Sequence, residues 1–306
     1  MQASPKFSQA LRLEMDGILA VLPPVVLRRA GYFLKGKNLR SALVRDVGNA
    51  MGIDVQRLAL PASILELVHT TTILHDDVID ETQARRGQKT VNRLLKSRIA
   101  IFAADLLFSN SMRRLHQWAV SQGTGGRRVE RCFHRQIRRV CEGELIQDIR
   151  FVKASAPSEA DCLEIARGKT GALFALSFLV PGHLRSCSAP ELEWLEEAGA
   201  MHGVVFQLVD DIEDLAEDTR GEGGAGQLHH WTYASRYWNE VDPDGLDAFS
   251  HGGLQAPPEA VRQALKARVE AYARDGLHAL ASDCPAALEP VLALLRGRTE
   301  ALLESR

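Results

Sequence analysis

Apolar residues recur at three- and four-residue intervals through most of this chain. That period matches the helical repeat and predicts amphipathic α-helices. The spacing predicts helices over 7–22, 38–51, 59–82, 91–119, 127–152, 158–181 and 189–216, then over 258–281 and 286–304. Stretches of alternating β-branched residues are absent, so no sheet is expected and the fold class is all-α. Turn signals stand at Gly52, Pro61, Gly87, the run Gly123 to Gly126, Pro157 and Pro181-Gly182. The segment 218–258 breaks the pattern. It is rich in glycine and histidine, holds Trp231, Tyr233, Tyr237 and Trp238, and reads as a loop or lid.

Inside two of the predicted helices lie aspartate clusters, Asp76-Asp77-x-x-Asp80 and Asp210-Asp211-x-x-Asp214. Residues four apart share a helix face, so Asp76 aligns with Asp80 and Asp210 with Asp214. A single acidic pair would read as a solvated face. Here the flanks are apolar: Ile73, Leu74, Val78 and Ile79 around the first, Phe206, Leu208, Val209 and Ile212 around the second. Carboxylates gathered without cations would repel one another and raise their pKa values. Two such helices facing each other would line a cavity suited to a hard divalent cation. Magnesium keeps waters and takes substrate phosphate as further ligands, so a diphosphate substrate is expected.

Composition narrows the partners. The 306 residues are 45% hydrophobic and 25% charged, as in ordinary globular proteins. A formal net charge of −2 argues against nucleic acid as a partner. Five cysteines without C-x-x-C spacing fit a reducing, cytoplasmic setting rather than a disulfide framework or zinc site. Scattered charges and Pro23-Pro24 near the start predict neither a signal peptide nor a spanning helix. The arginine run over 127–139 reads as an exposed basic face, with peripheral contact to an anionic membrane as the most it would support.

Basic residues accompany the acidic clusters. Arg85 and Arg86 follow the first, and the planar guanidinium holds two phosphate oxygens at once. Lys37 and Arg40 stand three apart at a helix start, where anions are favoured. His69 lies two turns before Asp76 on one face. Gly168-Lys169-Thr170-Gly171 is not a nucleotide-binding P-loop, because Leu163 occupies the position of its first glycine and no strand precedes it. A metal phosphohydrolase of the helical His-Asp type needs an upstream histidine, and none occurs before His69.

Together these motifs resemble the trans-isoprenyl diphosphate synthases, or polyprenyl synthetases. The resemblance spans roughly Met15 to Asp214 and also draws on Ala104-Asp105-Leu106 and Gly143-Glu144-x-x-Gln147. It implies one domain over 1–306, an isoprenoid-synthase-type bundle of about ten or more helices around a central cavity, and a homodimer. It implies a magnesium-dependent prenyltransferase that condenses an allylic diphosphate with isopentenyl diphosphate. Three magnesium ions per site are implied once substrate is bound. Asp76, Asp80 and Asp210 would ligate them, supported through water by Asp77, Asp211 and Asp214. Arg85 and Lys169 would hold the allylic diphosphate, and Lys37, Arg40, His69 and Arg86 the isopentenyl diphosphate. Thr170 and Gln207 would sit near the reacting carbons. Thr71 and Thr72, one turn before Asp76, carry no ring to plug a tunnel, which implies products of four or more isoprene units.

The pattern departs from the family in three places. Lys35 replaces the first glycine of the basic motif and Ser41 its usual proline. The family's lysines after the second acidic motif are missing, since Lys266 is the only lysine beyond Lys169. Those losses leave two alternatives open: a non-catalytic or regulatory subunit, and a cyclase of allylic diphosphates on the same fold.

Overall fold

A computed structural model describes residues 5–29, 38–85, 87–151, 157–217, 232–250 and 257–304. Lys37 and Arg86 lie outside these residues, as does the stretch 218–231. The helices are α1 (Pro5–Leu19), α2 (Pro24–Arg29), α3 (Leu39–Ala50), α4 (Val55–Ile79), α5 (Val91–Leu95), α6 (Ser97–Ser121), α7 (Gly123–Phe151) and α8 (Glu159–Ala166). They continue as α9 (Ala172–Arg185), α10 (Ala189–Glu217), α11 (Tyr233–Val241), α12 (Pro243–Ser250), α13 (Glu259–Ser282) and α14 (Glu289–Glu304). Chain packing divides into two compact units, residues 1–134 with 176–192, and residues 135–175 with 193–306.

In the first unit α4 packs against α1, α3 and α6. Its residues from Leu58 to Val68 are buried on every side, so it serves as the central rod. A Cβ on Gly48 would fall 2.2 Å from Leu58 Cδ1, which is why α3 approaches α4 through a glycine. Ser63 Oγ donates to Leu11 O at 3.1 Å and Asn110 Nδ2 to Ile18 O at 2.8 Å, pinning α1 onto α4 and α6. Truncating a fully buried core leucine such as Leu58 or Leu65 would cost about 2–5 kcal/mol.

In the second unit α10 carries Leu195, Val204, Val205 and Leu208 in the core, with Phe174 and Trp238 also fully buried. Trp194 Nε1 donates to Leu280 O at 2.9 Å, tying α10 to α13. His202 Nδ1 lies 3.1 Å from Thr299 Oγ1, tying α10 to α14.

The structure corrects several sequence expectations. The segment 218–258 is not simply a loop, because α11 and α12 occupy 233–250. Both are short, nine and eight residues, so the helical period has few repeats in which to show. A ribbon of two residues per strand pairs Ala84 with Lys89 and Arg85 with Gln88. Its strands (β1, Ala84–Arg85; β2, Gln88–Lys89) are too short for alternation to show. The glycine run from Gly123 begins α7 instead of separating helices. A Cβ on Gly126 would stand 2.5 Å from Ala119 O, so glycine permits the tight corner between α6 and α7. Pro61 lies within α4 and Pro181 within α9. The helix expected over 91–119 breaks at Lys96, whose φ is 82°.

Candidate functional site

In the first unit, the last turn of α4 presents the first acidic cluster. Asp76 is half-buried, Asp77 fully buried and Asp80 exposed. The helix ends here because Glu81 takes a left-handed φ of 51°. Asn92 Nδ2 donates to Asp77 O at 2.6 Å, a carbonyl that also accepts from Thr82 N at 3.0 Å, so the helix end is held twice. Arg85, on β1, donates from Nε to Asp77 Oδ1 at 3.0 Å. The hairpin thus places a guanidinium beside the cluster while neutralising its buried member. His75 Nε2 lies 3.1 Å from Asp105 Oδ1, linking α4 to α6. His69 is half-buried two turns earlier, and Arg40 is buried on α3. Thr71 Oγ1 donates to Val68 O at 2.7 Å and Thr72 Oγ1 to His69 O at 2.8 Å, so both hydroxyls are spent on their own helix.

The departure at Ser41 has a local partner. Ser41 N donates to Glu66 Oε1 at 2.7 Å, and both residues are buried. Asn38, the residue before α3, offers no side-chain cap, so Glu66 meets one of the free N–H groups at that helix start.

In the second unit, the second acidic cluster repeats the burial order of the first. Asp210 is half-buried, Asp211 buried and Asp214 exposed. Thr170 Oγ1 donates to Gln207 Oε1 at 2.5 Å, and Gln207 Nε2 donates to Asp211 Oδ1 at 2.8 Å. The two bonds fix which end of the amide faces each partner. Asp211 Oδ2 accepts from Tyr233 N at 3.1 Å. Burial pushes the Asp211 carboxyl up to about 6, with neighbouring Asp210 adding to it, against the donors Gln207 and Tyr233. Lys169 Nζ reaches Glu144 Oε2 and Gln147 Oε1, each at 2.7 Å. An ammonium has three donors, and among the described residues these two acceptors take two of them.

Lys169 and Thr170 are aimed by a local irregularity. Residues Arg167–Gly171 form a π-helical turn between α8 and α9. Such turns re-register side chains and recur at functional positions. Small residues let neighbouring backbones approach it. A Cβ on Gly143 would stand 2.9 Å from Lys169 N, and one on Gly203 would stand 2.7 Å from Gly171 Cα. Behind the turn lies a cavity of about 480 Å³ lined by Arg139, Gly143, Arg167, Gly168, Glu196 and Glu197 among others. None of the sequence-predicted site residues lines it.

The donor set fits magnesium. The solvent-reachable carboxylates of Asp76, Asp80, Asp210 and Asp214 are hard oxygen donors at i, i+4 spacing. Among the described residues no three acidic, histidine or cysteine side chains converge as a self-sufficient metal site. A metal held here would take much of its coordination from water and substrate, as magnesium does. Asp211 accepts one protein donor on each oxygen, Gln207 Nε2 on Oδ1 and Tyr233 N on Oδ2, and a carboxylate keeps further lone pairs beyond these two.

The sequence singled out both clusters and the Lys169-Thr170 pair, and the structure sets Thr170 against Gln207 and Gln207 against Asp211. Sequence reasoning missed Tyr233 as a partner of Asp211, Asn92 as the clamp on α4, and Glu66 as the partner of Ser41. Only Tyr233 left a signal, the Thr232-x-x-Ser235 capping box that starts α11.

Known proteins share this chain's sequence pattern and fold. The polyprenyl synthetase family model matches residues 24–226. The chain is 34% identical over 219 residues to a prenyl transferase of Synechocystis, covering 69% of this chain and 66% of that protein. It is 31% identical over 207 residues to a geranylgeranyl pyrophosphate synthase of Geoglobus acetivorans, covering 67% of this chain and 63% of the relative. The matched stretch is thus less than two thirds of either relative's length. Among solved structures, its fold is similar to that of a decaprenyl diphosphate synthase from Rhodobacter capsulatus, with TM-score 0.75, 23% identity and 98% of both chains covered. The chain belongs to the polyprenyl synthetase family.

Proposed function

We propose that this protein is a magnesium-dependent prenyltransferase. It condenses an allylic diphosphate with isopentenyl diphosphate to give a trans-polyprenyl diphosphate of four or more isoprene units. The observation that carries this reading is the repeated acidic disposition on α4 and α10. In each cluster the middle carboxylate is buried against protein donors, and the flanking ones stay reachable. Each cluster by itself presents reachable carboxylates suited to a metal-bound diphosphate, and one functional domain over 1–306 is part of the proposal.

Bound magnesium, three ions per site with substrate, would neutralise charge on the leaving diphosphate. Asp76, Asp80 and Asp210 would hold it, with Asp214 supporting through water. Asp77 supports by holding Arg85, and Asp211 by orienting Gln207. Arg85 and Lys169 would grip the allylic diphosphate. Arg40 and His69, with Lys37 and Arg86, would hold isopentenyl diphosphate. Holding both substrates in line supplies much of the acceleration. Thr170 and Gln207 present oxygen dipoles to the allylic cation formed on ionisation. The double bond of isopentenyl diphosphate attacks that cation, and the departing proton passes to the released diphosphate.

A homodimer is part of the proposal, supported by the exposed apolar side chains Ile101, Phe102 and Leu106 on α6. A cytoplasmic location is part of the proposal, supported by five cysteines without C-x-x-C spacing. No helix among the described residues is long and apolar enough to cross a membrane.

The test is incubation of the purified protein with magnesium, farnesyl diphosphate and isopentenyl diphosphate, with products resolved by mass spectrometry. A ladder ending at one length supports elongation. Cyclised farnesyl products without incorporation would replace it with a cyclase. Absence of turnover in a folded protein would favour a non-catalytic subunit.

A further inference from the structure

Tyr233 opens α11 and is itself buried. Its backbone N–H, one of the donors that a helix start leaves unpaired, points at Asp211 Oδ2 across 3.1 Å. A helix N-terminus presents unpaired donors toward an acceptor, so α11 holds the Asp211 carboxyl in place from this side. The start of the helix is sharply defined. Thr232 and Ser235 form a reciprocal capping box, with Thr232 Oγ1 accepting from Ser235 N at 3.1 Å.

The side chain of the same residue anchors this helix end to two others. Tyr233 Oη donates to Glu159 Oε1 at 2.8 Å, on the first turn of α8. Arg268 of α13 donates from Nε to Glu159 Oε1 at 3.0 Å and to Tyr233 Oη at 3.1 Å, and from Nη2 to Glu159 Oε2. Its guanidinium also lies 5.4 Å from the ring centroid of Tyr237, one turn along α11. Arg268 and Tyr233 together hold the Glu159 carboxyl below the usual carboxylate range. One residue therefore joins α10 through its backbone and α8 and α13 through its hydroxyl.

Asp211 in turn orients Gln207, and Gln207 accepts the hydroxyl of Thr170. Withdrawal of α11 would leave a buried carboxylate with one donor fewer, and the amide of Gln207 would lose its fixed partner. We propose that Tyr233, Glu159 and Arg268 are positioning residues: they form a strut that seats α11 against Asp211 and so aligns the second acidic cluster for metal and diphosphate. The inference rests on the diphosphate reading above and extends it to helices beyond the family match at residues 24–226.

The test uses the full-length protein and manganese as probe, titrated by electron paramagnetic resonance in the presence of inorganic diphosphate. Tyr233→Phe removes the hydroxyl ties and keeps the ring. Supporting partners of metal sites change affinity by about 10- to 100-fold when lost, and the strut predicts about a ten-fold weaker manganese half-saturation for Tyr233→Phe. Glu159→Gln reaches the same tie from α8 and decides the matter if Tyr233→Phe does not fold. His202→Gln, which loosens α10 from α14, is the control for general destabilisation and should leave manganese binding unchanged. A folded Tyr233→Phe or Glu159→Gln that binds manganese like the parent overturns the strut. Equal weakening by His202→Gln also overturns it. A parent protein that binds no manganese with diphosphate overturns the diphosphate reading and the strut's role together.

Discussion

Arg85 donates from Nε to Asp77 Oδ1 at 3.0 Å, joining the short hairpin to the buried carboxylate at the end of α4. Asp77 thus orients the guanidinium through Nε, and under the proposed function the terminal NH2 groups would meet phosphate. Asp77→Ala should therefore reduce kcat/KM for the allylic diphosphate, at saturating isopentenyl diphosphate, about ten- to a hundred-fold. That range corresponds to losing a charged hydrogen bond worth about 1.5–3 kcal/mol. Unchanged steady-state kinetics would show that Arg85 needs no such partner.

Gln207 sits between a hydroxyl and a carboxylate with its amide direction fixed by both. Gln207→Glu would set a second carboxylate beside Asp211, which burial already pushes up to about 6. Two adjacent carboxylates favour sharing one proton. The variant should lose about two orders of magnitude in kcat/KM at pH 8, on the scale of removing one electrostatic donor. Activity relative to the parent should recover as the pH falls toward 6. A pH-rate profile parallel to the parent's would count against this account of the amide.

Ser41 stands where the family usually has proline, yet restoring proline should harm this protein. The N–H of Ser41 is held by the buried carboxylate of Glu66 at 2.7 Å. Ser41→Pro deletes the donor and strands the acceptor, which should cost about 1–3 kcal/mol in denaturant unfolding. Adding Glu66→Leu to Ser41→Pro should restore part of the loss. Stability that is equal or higher in the proline variant would show that Glu66 finds another partner.

His202 is wholly buried, and burial lowers its pKa from 6.5 to about 4, with Arg298 adding a smaller effect in the same direction. Between those values the unfolded chain binds a proton that the folded chain refuses. This contribution is therefore fully present above about pH 6.5 and lost as the pH falls toward 4, about 3 kcal/mol in all. Asp211 acts in the opposite sense, because its raised pKa lets the folded chain hold a proton that the unfolded chain has released. The difference between parent and His202→Gln isolates the histidine. Unfolding free energy should fall less steeply from pH 7 to pH 5 in the variant, and equal slopes would contradict the assignment.

The helices α13 and α14 were legible from apolar spacing because each buries one face at the helical period, Val261, Leu265, Val269 and Ala273 in α13 and Val291, Leu292, Leu295 and Thr299 in α14. Both acidic clusters were legible for a similar reason, since polar residues set within apolar flanks stand out. The π-helical turn at Arg167–Gly171 left no mark in spacing, because it depends on Gly143 and Gly203 lying close in space to Gly168 and Gly171. Tyr233, Asn92 and Glu66 act through tertiary partners 22, 15 and 25 residues away, respectively. No local pattern encodes such pairings. The helices α11 and α12 were hidden by composition, since a glycine- and histidine-rich approach precedes a capping box only four residues long.

The most direct test of the prenyl-transfer assignment is incorporation of labelled isopentenyl diphosphate onto farnesyl diphosphate with saturating magnesium, comparing the parent with Asp76→Ala and Asp210→Ala. The account predicts a labelled polyprenyl diphosphate from the parent and a loss of about 10²- to 10³-fold in each variant, the scale of a lost electrostatic contact to the leaving group. Incorporation that survives either substitution, or a folded parent that incorporates none, would contradict it.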